Sequence, residues 1–172
     1  MHRSDDRRYQ KEEYEADAYQ RRVYLDLRNG VVAGLLGGGA IMLFFLTRDL
    51  LLFTPLATPE ALSDALLSRE ALAARIDIRL NVFRILLFSL LHLGVFAVLG
   101  IVLAKLPRVI RFRNALLMGG LYGLIVCSSL FFADLELSCT RLSIGLGVPS
   151  VLFANVLAGT IMAAYLRLAR SL

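Results

Sequence analysis

The sequence predicts an all-α, polytopic membrane protein: four transmembrane helices, both termini in the cytoplasm, and an amphipathic helix outside the cytoplasm between the first two spans. Three observations lead there. Four apolar runs, Gly30 to Thr47, Ile85 to Ala104, Ala115 to Ala133 and Val151 to Leu166, each approach the roughly 20 residues that a helix needs to cross about 30 Å of hydrocarbon. Hydrophobic residues fill 58% of the 172 positions, more than the roughly 45–50% of an average soluble domain, and a soluble chain of this length has no core large enough to hold them. The third observation is where the cations stand.

Thirteen Lys and Arg residues fall before the first run, between the second and third, and after the fourth, while six fall in the other two connections. Counted near the spans, that asymmetry puts both termini inside. The net charge of +5 does not indicate nucleic acid, because the basic residues sit at the ends of apolar segments and form no stripe interleaved with aromatics. The expected spans are about 30–53, 82–105, 114–133 and 149–168, which divide the chain into a tail, 1–28, and a four-helix transmembrane domain, 29–172. No apolar signal region precedes Gly30, so the first span is expected to direct its own insertion.

The tail carries seven basic and seven acidic residues, with Arg8 and Glu12, Lys11 and Glu15, and Asp17 and Arg21 at i,i+4 spacing, which predicts a partly helical segment from about Asp5. Tyr9, Tyr14, Tyr19 and Tyr24 step by five and so spiral around a helix without forming one face. Such a tail serves either as a solvated surface or as a docking arm for a cytoplasmic partner.

At the end of the first span Arg48 and Asp49 interrupt the apolar run. Charges are expensive at the bilayer centre, so an interfacial ion pair is expected among Arg48, Asp49 and Arg84, with a proton or ion relay as the alternative. Thr58-Pro59-Glu60 predicts a helix start with Thr58 as N-cap and Pro59 in the first turn. Leu62, Leu66, Ala73, Ile76 and Leu80 then supply an apolar face.

Within the spans, association must come from close packing of small residues and a few polar contacts. Gly34 and Gly38 on the first span, Gly119 and Gly123 on the third, and Gly159 on the fourth lie at four-residue spacings with other small residues, and mark the packing faces. The number of glycines on the first span suggests more than one neighbour for it. The deep polar groups are His92, Ser128, Ser129 and Asn155. A neutral His92 hydrogen-bonded to Ser128, Ser129 or Asn155 satisfies them; alternatively His92 is an axial ligand to haem or a chlorin pigment. Cys127 and Cys139 are expected as small fillers, with a disulfide possible only if the third helix ends early.

Ala33-Gly34, Gly37, Phe45, Asp49, Phe53, Thr54 and Pro55 resemble the opening of uncharacterised bacterial four-span membrane proteins over residues 30–60. The resemblance implies the four-span topology and a bacterial inner membrane, and implies no catalytic residue. Arg48 before the aspartate departs from that pattern.

Hydrolase, zinc-protease and phosphate-loop motifs are missing, as is any cluster of Asp, Glu, His or Cys with ligand spacing. The expected role is a non-catalytic accessory or scaffolding subunit without cofactor or bound metal, in contact with lipid and with other membrane subunits or copies of itself. A small transporter or channel using His92, Asn155 and Asp49 is the alternative, and a haem- or pigment-binding subunit the third.

Overall fold

The computed structural model describes residues 3–67, 78–106, 114–137 and 147–171, and every element in them is helical. Helix α1 runs from Arg3 to Leu51, α2 from Ala57 to Leu67 and α3 from Ile78 to Lys105. The third span is built from α4 (Ala115–Tyr122), a π-helical turn (Gly123–Cys127) and α5 (Ser128–Leu137); α6 (Val148–Ala169) is the fourth. Four helices are long and apolar enough to cross a membrane: α1 within Tyr14–Leu51, α3 within Val82–Lys105, the composite span within Ala115–Ala133, and α6.

Tail and first span are one helix of 49 residues, about 73 Å at 1.5 Å per residue. The boundary expected at residues 28 and 29 therefore falls inside continuous helix. No proline interrupts the segment, and the next break comes only at Phe53 and Leu56, whose φ angles are 56° and 68°. Tyr14, Tyr19 and Tyr24 are exposed along the extension.

In the bundle, α3 packs on one side of α1 and α6 on the other, and α6 in turn carries the third span. The order in space is an arc, with α3 and the third span as its flanks. Two glycine clamps hold it. In the first, Gly30 and Gly34 of α1 meet Gly100 of α3, and a methyl built on Gly34 would stand 2.6 Å from the Ala97 Cα. In the second, Gly119 and Gly123 of the third span meet Gly159 of α6, where a methyl on Gly159 would stand 2.9 Å from the Gly123 Cα.

The clamps correspond residue for residue. Gly34 faces the Phe96 carbonyl as Gly123 faces the Asn155 carbonyl, and Gly100 and Gly159 each lie four residues further along their helices. The chain is thus two similar helical hairpins, joined by α1 against α6. Gly37 serves that junction, since a methyl built on it would stand 2.8 Å from Met162 Cγ. Two neighbours for the first span account for its two sets of glycines.

Leu103, Met162 and Leu166 are fully buried, and Ala33, Phe45, Phe96, Ala154 and Ala158 complete much of the core. Leu43, Phe83, Leu90 and Val98 face outward and are more than half exposed. So large an apolar exterior suits lipid and not water. At the end of the bundle nearest the termini, Arg170 Nη2 donates to the Ala104 carbonyl (2.8 Å) and to Asp26 Oδ1 (3.1 Å). One guanidinium there satisfies a helix-terminal carbonyl of α3 and ties α1 to α6.

Helix association through glycine predicts a positional contrast. Gly34→Ala should destabilise the detergent-solubilised protein by about 1–3 kcal/mol through forced backbone separation. Gly39→Ala, where a methyl meets nothing within 4 Å, should be neutral or slightly stabilising. Denaturation in mixed micelles followed by circular dichroism checks the pair.

Candidate functional site

His92 lies midway along α3, on the side that meets α1. Its ring sits between Phe88 and Phe96, with centroids at 5.9 and 4.8 Å. The Gly38 backbone is the polar group that faces the imidazole, and Nε2 is buried without a hydrogen-bond partner. Gly38 allows the approach because a side chain there would press on Phe96 Cβ at 3.0 Å.

The sequence predicted Ser128, Ser129 or Asn155 as the partner of His92, and the structure separates them. Asn155 Nδ2 donates to Ser128 Oγ at 3.1 Å, bonding α6 to the third span. Ser129 is exposed on the outer face. The reason is rotational: α3 faces α1 and hardly touches the third span, so His92 is turned to the α1 backbone at Gly38. Ser128 and Ser129, adjacent in sequence, point about 100° apart. The π-helical turn sets the phase of that segment, burying both Cys127 and Ser128. Cys127 carries a free thiol, and Cys139 lies outside the described residues.

Asp49 is buried at the far end of α1, and its two short hydrogen bonds both come from Thr58: the backbone N–H to Oδ2 and the hydroxyl to Oδ1, each 2.7 Å. Arg48 stands at the outer limit of an ion pair, Nη1 to Oδ1 4.0 Å, and Arg84 is half-buried on α3. The expected ion pair is thus secondary to a capping interaction that sequence reasoning missed. Thr58 was expected to cap α2 itself, yet α2 begins at Ala57 and the Thr58 hydroxyl donates instead of accepting. The turns at Phe53 and Leu56 fold the chain back so that the carboxylate of one helix caps the next.

Between these groups is a cavity of about 590 Å³, walled by α1, α3, the third span and α6 and roofed by Thr58, Pro59 and Leu62 of α2. His92 and Asn155 are both on its wall. Tyr122 Oη donates to the Leu99 carbonyl at 2.9 Å, joining the two flanks of the arc. Neither the role of Tyr122 nor the Gly38 contact has a signature in the sequence, since both depend on which backbone carbonyl a side chain meets in space. No group of three or more His, Cys, Asp or Glu among the described residues is placed to hold a metal ion.

Compared with known proteins, the chain matches no family model, no curated protein and no solved structure. Fold and site define the class as a multi-pass helical membrane protein with a mostly apolar cavity.

The capping geometry predicts that Thr58→Val costs about 1–2 kcal/mol of stability, whereas Arg48→Gln costs less than about 1 kcal/mol, the range of exposed ion pairs. Unfolding of both variants in the same micelle, read by circular dichroism, checks the order.

Proposed function

We propose that the protein is a non-catalytic accessory or scaffolding subunit of a membrane complex, held in a bacterial inner membrane with both termini in the cytoplasm. The observation that supports it is the continuity of α1. A helix of 49 residues exceeds the roughly 20 that lipid can enclose and extends as an exposed rod, coupled without a hinge to the bundle. The Arg170 contacts with Asp26 and Ala104 fix that rod at its base. A partner that grips it is therefore held in a set orientation to the membrane. The sidedness follows from the distribution of Lys and Arg, and the resemblance over residues 30–60 supports the four-span topology.

A second reading, haem or chlorin ligation, is favoured by one observation, the unpartnered Nε2 of His92. Against haem, the cavity wall among the described residues holds no Arg or Lys to pair with propionates.

In a background with Cys127→Ser and Cys139→Ser, a membrane-impermeant maleimide applied to spheroplasts should label Glu60→Cys and spare Gln20→Cys. The reverse pattern would sink the assigned orientation. Photo-crosslinking residues at Tyr14 and Tyr19 should each give the same discrete adduct in living cells. Removing residues 1–28 should abolish that adduct while the remaining bundle stays monodisperse in detergent.

A further inference from the structure

A second hollow, an open groove of about 750 Å³, lies between α1 and α6 and takes no residue from α3 or the third span. On α1 it follows Ala40, Phe44, Thr47, Arg48 and Leu51, steps of three and four that keep to one face of the helix. Leu157 and Ile161, four residues apart on α6, supply the opposite wall, and Phe44 is in ring contact with Phe153 of α6 at 5.6 Å. Apart from Thr47 and Arg48, every described side chain on the wall is apolar.

The two polar residues play different parts. The Thr47 hydroxyl donates to the Leu43 carbonyl at 2.8 Å and is committed to its own helix. Arg48 is the charged group of the groove, with 28% of its side chain exposed. Its neighbour Asp49 is turned into the protein, where both carboxylate oxygens accept from Thr58, and it approaches Arg48 only to 4.0 Å. The groove thus presents a cation, and the nearest anion is withdrawn from it.

The height of Arg48 on the helix matters as much as its charge. Arg28 and Arg48 are twenty residues apart, about 30 Å along α1 at 1.5 Å per residue, which is the thickness of a hydrocarbon core. A bilayer that meets the helix at Arg28 therefore brings its opposite headgroup layer to Arg48. The apolar part of the groove, from Ala40 upward, then lies at the depth of acyl chains.

We propose that this groove holds an anionic phospholipid, one acyl chain along the α1 stripe and the phosphodiester on the Arg48 guanidinium. The guanidinium's planar fork of donors matches phosphate oxygens. The ammonium of a zwitterionic headgroup finds no carboxylate on the described wall, so net negative charge is preferred. A free anion would forgo the apolar contacts that fill the groove. The lipid belongs to the leaflet on the α2 side of the bundle. The site requires that the bundle stand in lipid and is independent of the scaffolding role.

The test is native mass spectrometry of the full chain in detergent, titrated with dioleoyl phosphatidylglycerol or dioleoyl phosphatidylcholine, which share acyl chains and differ in headgroup charge. The first bound lipid should favour phosphatidylglycerol about tenfold, the scale of one charge-assisted hydrogen bond. Arg48→Gln should remove that preference while both lipids still bind. Leu157→Trp, which fills the groove and leaves Arg48 in place, should weaken both. Arg167→Gln removes an exposed cation at the opposite end of the bundle and should leave the preference intact.

Equal affinity of the two lipids for the wild-type chain would overturn the proposal, as would a preference that survives Arg48→Gln. A loss in Arg167→Gln equal to that in Arg48→Gln would assign the preference to the net positive charge of the chain and overturn the site. Binding of both lipids unchanged by Leu157→Trp would place them elsewhere on the bundle, with the same result.

Discussion

Everything in this fold depends on backbone meeting backbone across two glycine clamps. In lipid there is no hydrophobic gain from bringing apolar helices together, so the attraction must come from dispersion at close range and from weak polar contacts. Gly34 turned to the Phe96 carbonyl and Gly123 turned to the Asn155 carbonyl give both: interhelical separation is set by Cα and not by side chains, and Cα–H groups point at carbonyl oxygens, each worth about 0.5–1 kcal/mol. The clamps fix rotation as well as distance. Once Gly34 meets Phe96, one turn earlier along α3 His92 must face the helix α1 at Gly38, and the polar chemistry of the site follows from packing.

How much was legible in the sequence divides along the same line. The glycines at four-residue spacing and the apolar runs are one-dimensional patterns, and they locate three of the four candidate spans to within a few residues, at Val82–Lys105, Ala115–Ala133 and Val148–Ala169, while the first helix continues back into the tail. Gly37, extra in a simple ladder, indicated a second neighbour for α1 and meets Met162 of α6. Pairing of polar side chains was not legible, because it depends on the rotational phase of each helix. A π-helical turn at Gly123–Cys127 adds a residue to one turn with no signature in composition, and places Ser128 inward and Ser129 outward. Asp49 was recognisable as a buried charge in need of a partner. Its partner became Thr58 only because Phe53 and Leu56 adopt left-handed backbone, which their residue types do not announce.

Both ends of the bundle are secured by a charged group that caps a helix not its own. Asp49 of α1 accepts from the start of α2, and Arg170 beyond α6 donates to the end of α3. The signs agree with the helix dipole, anion at an N-terminus and cation at a C-terminus. Such cross-capping suits a membrane protein: the charges stand at the two ends of the bundle, and the orphan backbone groups of neighbouring helices find partners there.

The two hairpins differ where the clamps place their deep polar residues. In the second, Asn155 stands at the clamp and its side chain is consumed by Ser128 of the opposite helix. In the first, the corresponding residue is Phe96, and the polar group is displaced to His92, which faces the Gly38 backbone and leaves Nε2 buried without a partner. Packing does not require that nitrogen, since a phenyl ring would stack between Phe88 and Phe96 as well as an imidazole does. An unmade buried hydrogen bond costs about 1–3 kcal/mol. The fold bears that cost at His92, on the side of α3 that meets α1.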